Sequence, residues 1–143
     1  MATSNIKATF QCDVKRAWST VTSLYNYQWR SDLSHIKVLD EKSFVEYTKD
    51  GYPTTFTVTC EIPYERWEFD MENRNMKGHW IGLFKESDGI TEIDFTENVQ
   101  PKKVIMKPFI KKFLRQQQGI YISDLKKELE SGITYRSYSE PFE

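Results

Sequence analysis

The sequence predicts an α+β domain in which a curved, seven-stranded antiparallel sheet wraps around a long C-terminal helix, with two short helices after the first strand. Three observations predict it. Apolar and polar side chains alternate at residues 5–11 and again through most of 35–99, so each strand has one apolar face. After Pro101 the period becomes helical and holds to about Leu129. Between the first strand and the others, Val14, Ala17, Trp18, Val21 and Leu24 recur at steps of three and four.

The elements follow in order. Ile6, Ala8 and Phe10 face one way and Lys7, Thr9 and Gln11 the other, which makes a strand. Asp13 is placed to cap a helix running to about Leu24. Tyr25-Asn26-Tyr27-Gln28-Trp29 follows as a second short helix or turn. His35–Leu39 and Ser43–Thr48 form a strand pair, and Asp50-Gly51 turns the chain into Pro53–Ile62. Arg66–Glu72, Lys77–Glu86 and Ile90–Val99 complete the sheet, with turns at Asn73-Arg74-Asn75 and Asp88-Gly89. A helix then spans roughly 102–129, with Pro108 in its first turn and Gly132 as its stop. Residues 1–132 read as one domain and 133–143 as a short tail.

At 143 residues the chain holds one domain with a substantial core. Aromatics are 15% and charged residues 29%, a globular mixture. The net charge of −1 gives no global basicity, so nucleic acid is not an expected partner. Cys12 and Cys60 fit no disulfide or metal spacing and read as inert thiols in a reducing compartment. No signal peptide and no membrane span is expected, and the location expected is cytoplasmic.

Two stretches carry a resemblance. DVKRAWSTVTSLYNYQWR, after the first strand, is similar to the opening helix of the START-related and polyketide-cyclase-like superfamily (SRPBCC, Bet v 1-like). GHWIGLFKESDGITEIDFTE resembles that superfamily's glycine–tryptophan hairpin ending in a glutamate, with Ile90 between Gly89 and Thr91 as a departure. The long final helix is a third likeness, and together they cover about residues 5–129. The resemblance implies the helix-grip fold. That fold serves ligand carriers, hormone receptors, cyclases, lyase-like enzymes and chaperone activators, so it does not itself name a function.

The chemistry must come from side chains facing the space between sheet and helix. An Asp88-Gly89 turn pairs Ser87 with Ile90, Phe84 with Ile93, Gly82 with Phe95, Trp80 with Glu97 and Gly78 with Val99, all on the inner face. Phe95 is expected to lie over Gly82, which otherwise marks a bend. Glu97 is a carboxylate on an apolar face; near the sheet rim it would be solvated or bonded to a backbone amide, whereas unpaired beside Trp80 it would have a raised pKa and act as an acid or base. Tyr121 is the second acid–base candidate. A ligand site is expected from Phe56, Val58, Trp67, Phe69, Met71, Trp80, Phe84, Ile93, Phe95, Phe113, Gln117 and Tyr121, with Cys60 on the same face. No metal site and no cofactor are expected. Lysines 102, 103, 107, 111 and 112 read as the solvated face of the helix, although near a cavity mouth they would suit an acidic ligand.

The function expected is therefore binding of a hydrophobic or aromatic small molecule, lipid- or polyketide-like, by a monomer or homodimer. The alternatives are a cyclase- or dehydratase-like enzyme and a co-chaperone-like interaction domain.

Overall fold

A computed structural model describes the backbone of residues 1–139 and the side chains of residues 1–130. Strand β1 (Ala2–Phe10) leads into helix α1 (Val14–Thr22). Strands β2 (Leu33–Val38), β3 (Ser43–Thr48), β4 (Pro53–Ile62), β5 (Arg66–Glu72), β6 (Met76–Ser87) and β7 (Ile90–Pro101) follow. A single 3-10 turn at Val104–Met106 precedes helix α2 (Lys107–Ser139). The seven strands form one antiparallel sheet in the order β1-β7-β6-β5-β4-β3-β2. From β2 to β7 successive strands pair, while β1 pairs with β7, the last strand, and lies at the opposite edge from β2.

Local chemistry fixes the boundaries. The Asp13 carboxylate accepts a hydrogen bond from the Arg16 amide at 2.8 Å and caps α1. Asp88 and Gly89 have φ of 52° and 78°, the double positive φ of a type I′ turn, and the predicted pairing from Ser87–Ile90 to Gly78–Val99 follows. Pro108 lies in the first turn of α2, where its missing N–H costs nothing. The helix runs on past Gly132, which was expected to end it. Residues 140–143 and the side chains beyond Glu130 lie outside the described residues, and with them most of the expected tail. The second short helix is absent: residues 23–32 are a series of turns. Trp29 and Arg30 pack on side chains from elsewhere, Tyr121 and Glu46, whereas Tyr25 is exposed.

Two rows of side chains on α2 do different work. Ile110, Leu114, Gln118, Leu125 and Leu129 are buried, mainly against β1. Arg16 of α1 donates to the main-chain carbonyls of Glu128 and Leu129, at 3.0 and 2.8 Å, and ties the two helices together. The neighbouring row, Phe109, Phe113, Gln117 and Tyr121, lines the gap between helix and sheet together with Ile105 of the 3-10 turn, and Ile110, Leu114 and Gln118 border it too. No helix among the described residues is long and apolar enough to cross a membrane.

Candidate functional site

The gap is a cavity of about 900 Å³ between α2, the inner face of the sheet and the turns of residues 23–32. Its sheet wall is aromatic because strand alternation stacks rings across neighbouring strands. Phe44 lies flat on Phe56 with ring centres 5.0 Å apart, and Phe69 lies flat on Trp80 at 4.8 Å. Trp67 meets Phe69 and Trp80 edge-on at 5.2 and 5.9 Å, and Phe95 meets Trp80 at 4.7 Å. Such contacts add about 0.5–1.5 kcal/mol each beyond area burial, so the wall is stiff.

Gly82 belongs to this wall. A Cβ there would fall within 3.0 Å of two indole carbons of Trp80 and 3.3 Å from Phe95 Cδ1. The ring covering the glycine is thus chiefly Trp80, two residues away on the same strand and face, rather than Phe95 from across the hairpin. The glycine leaves the space into which that indole folds.

Nine of the twelve predicted ligand-site residues line the cavity: Phe56, Trp67, Phe69, Met71, Trp80, Phe95, Phe113, Gln117 and Tyr121. Glu97 lines it as well. Val58, Phe84 and Ile93 do not. Phe84 packs against Trp18 of α1 at 5.1 Å and against Phe95, and Ile93 is fully buried in the core, so both lie under α1 rather than beside the gap. Val58 sits where β4 bulges. The register slips by one between Val58 and Cys60, which places Cys60 opposite Glu68 instead of an inward residue. Cys60 is half-buried outside the cavity, while Cys12 is buried, and burial raises its thiol pKa.

The polar groups of the cavity come largely from residues that periodicity did not single out. Arg30 grips Glu46 through both terminal nitrogens at 2.7 and 3.2 Å, and grips Asp32 at 3.0 and 3.3 Å. Its guanidinium also lies 5.1 Å from the centre of the Tyr121 ring. Burial opposes that charge, but Glu46 and Asp32 outweigh it and hold the guanidinium protonated well above its ordinary range. Trp29 meets the other side of the site at Tyr121, 5.3 Å away and edge-on. Asp124 accepts from the amide and hydroxyl of Ser31, both at 2.8 Å, and pins these turns to α2. One signal for Glu46 exists in the sequence: it lies two residues after Phe44, so it shares the inner face.

Glu97 has no hydrogen-bond partner for its carboxyl group among the described residues. Burial, aided by the negative charge of Glu46, pushes its pKa up to about 7. Burial likewise raises the Tyr121 hydroxyl, with Arg30 pulling the other way, which leaves Tyr121 a poor base near neutrality. Two buried polar atoms at the cavity lack partners among the described residues, the Trp67 indole nitrogen and the Tyr52 hydroxyl. The glutamine run on α2 divides unexpectedly. Both Gln117 and Gln118 line the cavity, but Gln118 is buried and joined to Ser4, whose hydroxyl donates to its Oε1 at 2.7 Å and whose carbonyl accepts from its Nε2 at 3.2 Å. None of the five helix lysines lines the cavity; all are exposed.

No family model matches the chain, and none of the curated proteins does. Solved structures match well in shape. A START superfamily protein from Mycobacterium smegmatis superposes with a TM-score of 0.82 at 11% identity, over 90% of this chain and 97% of the other. A conserved protein from Geobacillus kaustophilus gives 0.78 at 11% identity, over 91% and 96%. The Aha1 dimer from Colwellia psychrerythraea gives 0.71 at 14% identity, over 91% and 97%. The chain has the helix-grip, START-like fold.

Proposed function

We propose that this START-like protein binds a hydrophobic or aromatic small molecule in the cavity between sheet and α2. The single observation that carries this reading is the cavity itself. At about 900 Å³ it lies at the upper end of the roughly 300–1,000 Å³ of small-molecule sites. Stacked rings form one wall, and a few polar groups converge inside. Apolar burial supplies the affinity and the polar groups set orientation. Ile105, Phe109 and Phe113, at 77%, 67% and 43% exposure, line the same space and offer further apolar surface for a ligand to cover.

The test is titration with N-phenyl-1-naphthylamine, a neutral probe that brightens in apolar surroundings, beside native mass spectrometry of the purified protein. Saturable one-to-one binding is expected, weakened in Gln117→Trp, whose indole would fill part of the cavity. Absence of saturable binding by any apolar probe would overturn the reading.

A second reading, an acid–base enzyme of the cyclase or dehydratase kind, is favoured by one observation: Glu97 lines the cavity without a partner among the described residues, where burial pushes its pKa up to about 7, close to the ideal for a general acid. It requires that Glu97→Gln abolish turnover of a substrate found by screening while the fold is kept.

A further inference from the structure

The charges of the cavity are unbalanced, and the imbalance says what kind of ligand suits it. Arg30 spends four N–H donors on Asp32 and Glu46 and presents its face to Tyr121. A ligand carboxylate therefore finds no free cation at this end. The other guanidinium lining the cavity, Arg74, lies in the β5–β6 turn, 5.2 Å from the centre of the Tyr52 ring. Glu97, on the inner face of β7 opposite Trp80, joins Asp32, Glu46 and Asp50 to make four carboxyl groups lining the cavity against two guanidiniums, and nothing among the described residues pairs with it. Ser4 of β1 is its cross-strand partner, Glu46 of β3 acts on it as a like charge, and Gln117, Gln118 and Tyr121 of α2, with Arg30, Asp32 and Asp50, line the same cavity. None of them supplies a free positive charge.

The site is more than a group of acids. The Trp67 indole N–H, on a side chain 5% exposed, lines the same cavity without an acceptor. Trp80, the cross-strand partner of Glu97, is in ring contact with Phe95, and Phe95 with Tyr121; all three line the same cavity, and electron-rich ring faces attract cations.

We propose that the cavity takes an apolar or aromatic molecule carrying a basic amine, its ammonium seated against Glu97 and the neighbouring rings. This rests on the ligand-binding reading above and names the ligand class. An ammonium would supply the missing charge and favour ionised Glu97. A carboxylate ligand would meet Glu97, Glu46 and Asp32 as like charges.

Displacement of N-phenyl-1-naphthylamine by decylamine, decanol and decanoate tests it at about pH 8, where amine and Glu97 are both charged. Wild-type protein should bind decylamine roughly tenfold or more tighter than decanol, and decanoate weakest, the ratio expected of a charge-assisted contact. Glu97→Gln should keep probe and decanol affinity and lose the amine preference. In wild-type protein the preference should also shrink towards pH 5, as Glu97 takes up a proton. Equal affinity for amine and alcohol, preference for the acid, or an amine preference intact in Glu97→Gln would overturn the proposal while leaving the cavity reading in place. Failure of the probe and of all three ligands to bind would overturn both. Should the variant fail to fold, the wild-type ligand series and its pH dependence decide alone.

Discussion

Replacing Glu97 by glutamine should stabilise the ligand-free protein, and by an amount that grows with pH. The carboxyl group titrates near 4.5 in an unfolded chain and at about 7 in the folded one. Between those values the folded state holds a proton that the unfolded state has released, so raising the pH favours unfolding. Each pH unit in that window costs about 1.4 kcal/mol, and the whole window about 3 kcal/mol. Glutamine is close in shape to the protonated acid and cannot ionise. The two proteins should therefore have similar stability near pH 5 and separate to about 3 kcal/mol by pH 8, roughly 10 °C in melting temperature for a chain of this length. Urea or thermal unfolding followed by tryptophan fluorescence, repeated from pH 5 to 8, measures the gap. Parallel curves, or a variant less stable than wild type at pH 8, would show that Glu97 is ionised and satisfied in the fold, and would refute the reasoning.

Three further outcomes follow from the packing. Gly82→Ala should cost about 1–3 kcal/mol in chemical denaturation, because the indole its Cβ would strike is boxed in by Phe69, Trp67 and Phe95; a loss below about 0.5 kcal/mol would contradict the crowding. Gln118→Leu should cost about 1–3 kcal/mol by stranding the Ser4 hydroxyl, and Ser4→Ala in the same chain should recover part of that loss in a double-mutant cycle. On the outer face, His79 shares its ring nitrogens between Asp70 at 2.6 Å and Glu68 at 2.7 Å. Burial opposes the charged ring, but the two carboxylates outweigh it and raise its pKa. Its stabilisation is present below the unfolded histidine pKa and is lost as pH rises through the folded value; an NMR titration of the imidazole should give a midpoint above that of a free histidine, and a lower midpoint would contradict it.

The fold was legible because its determinants are local. Alternation set the faces of β3, β4 and β5, whose limits match the prediction residue for residue, and Asp88-Gly89 set the register of the longest hairpin. The aromatic wall followed, since residues two apart on a strand share a face. Of the charged part of the cavity only Glu97 was singled out, from the hairpin register. Arg30, Asp32, Glu46 and Glu97 come from three separate segments, and Arg30 and Asp32 stand in turns without any period. Cys60 was misplaced by a bulge that no turn residue announces. Gln117 and Gln118 differ by about 100° around the helix, and although both border the cavity only Gln118 is turned far enough to bond Ser4. A run of three glutamines does not say which residue goes where.

The exposed row on α2 has a consequence for the protein as a whole. Phe109 and Phe113 are side chains of the kind that fill interiors, yet they stay wet while Ile110 and Leu114 beside them are covered. The chain thus builds an interior that is unfinished on one side. A guest seated there would become part of the core, and its affinity would be drawn from the same burial that folds the protein. Occupancy and melting temperature should then move together by mass action.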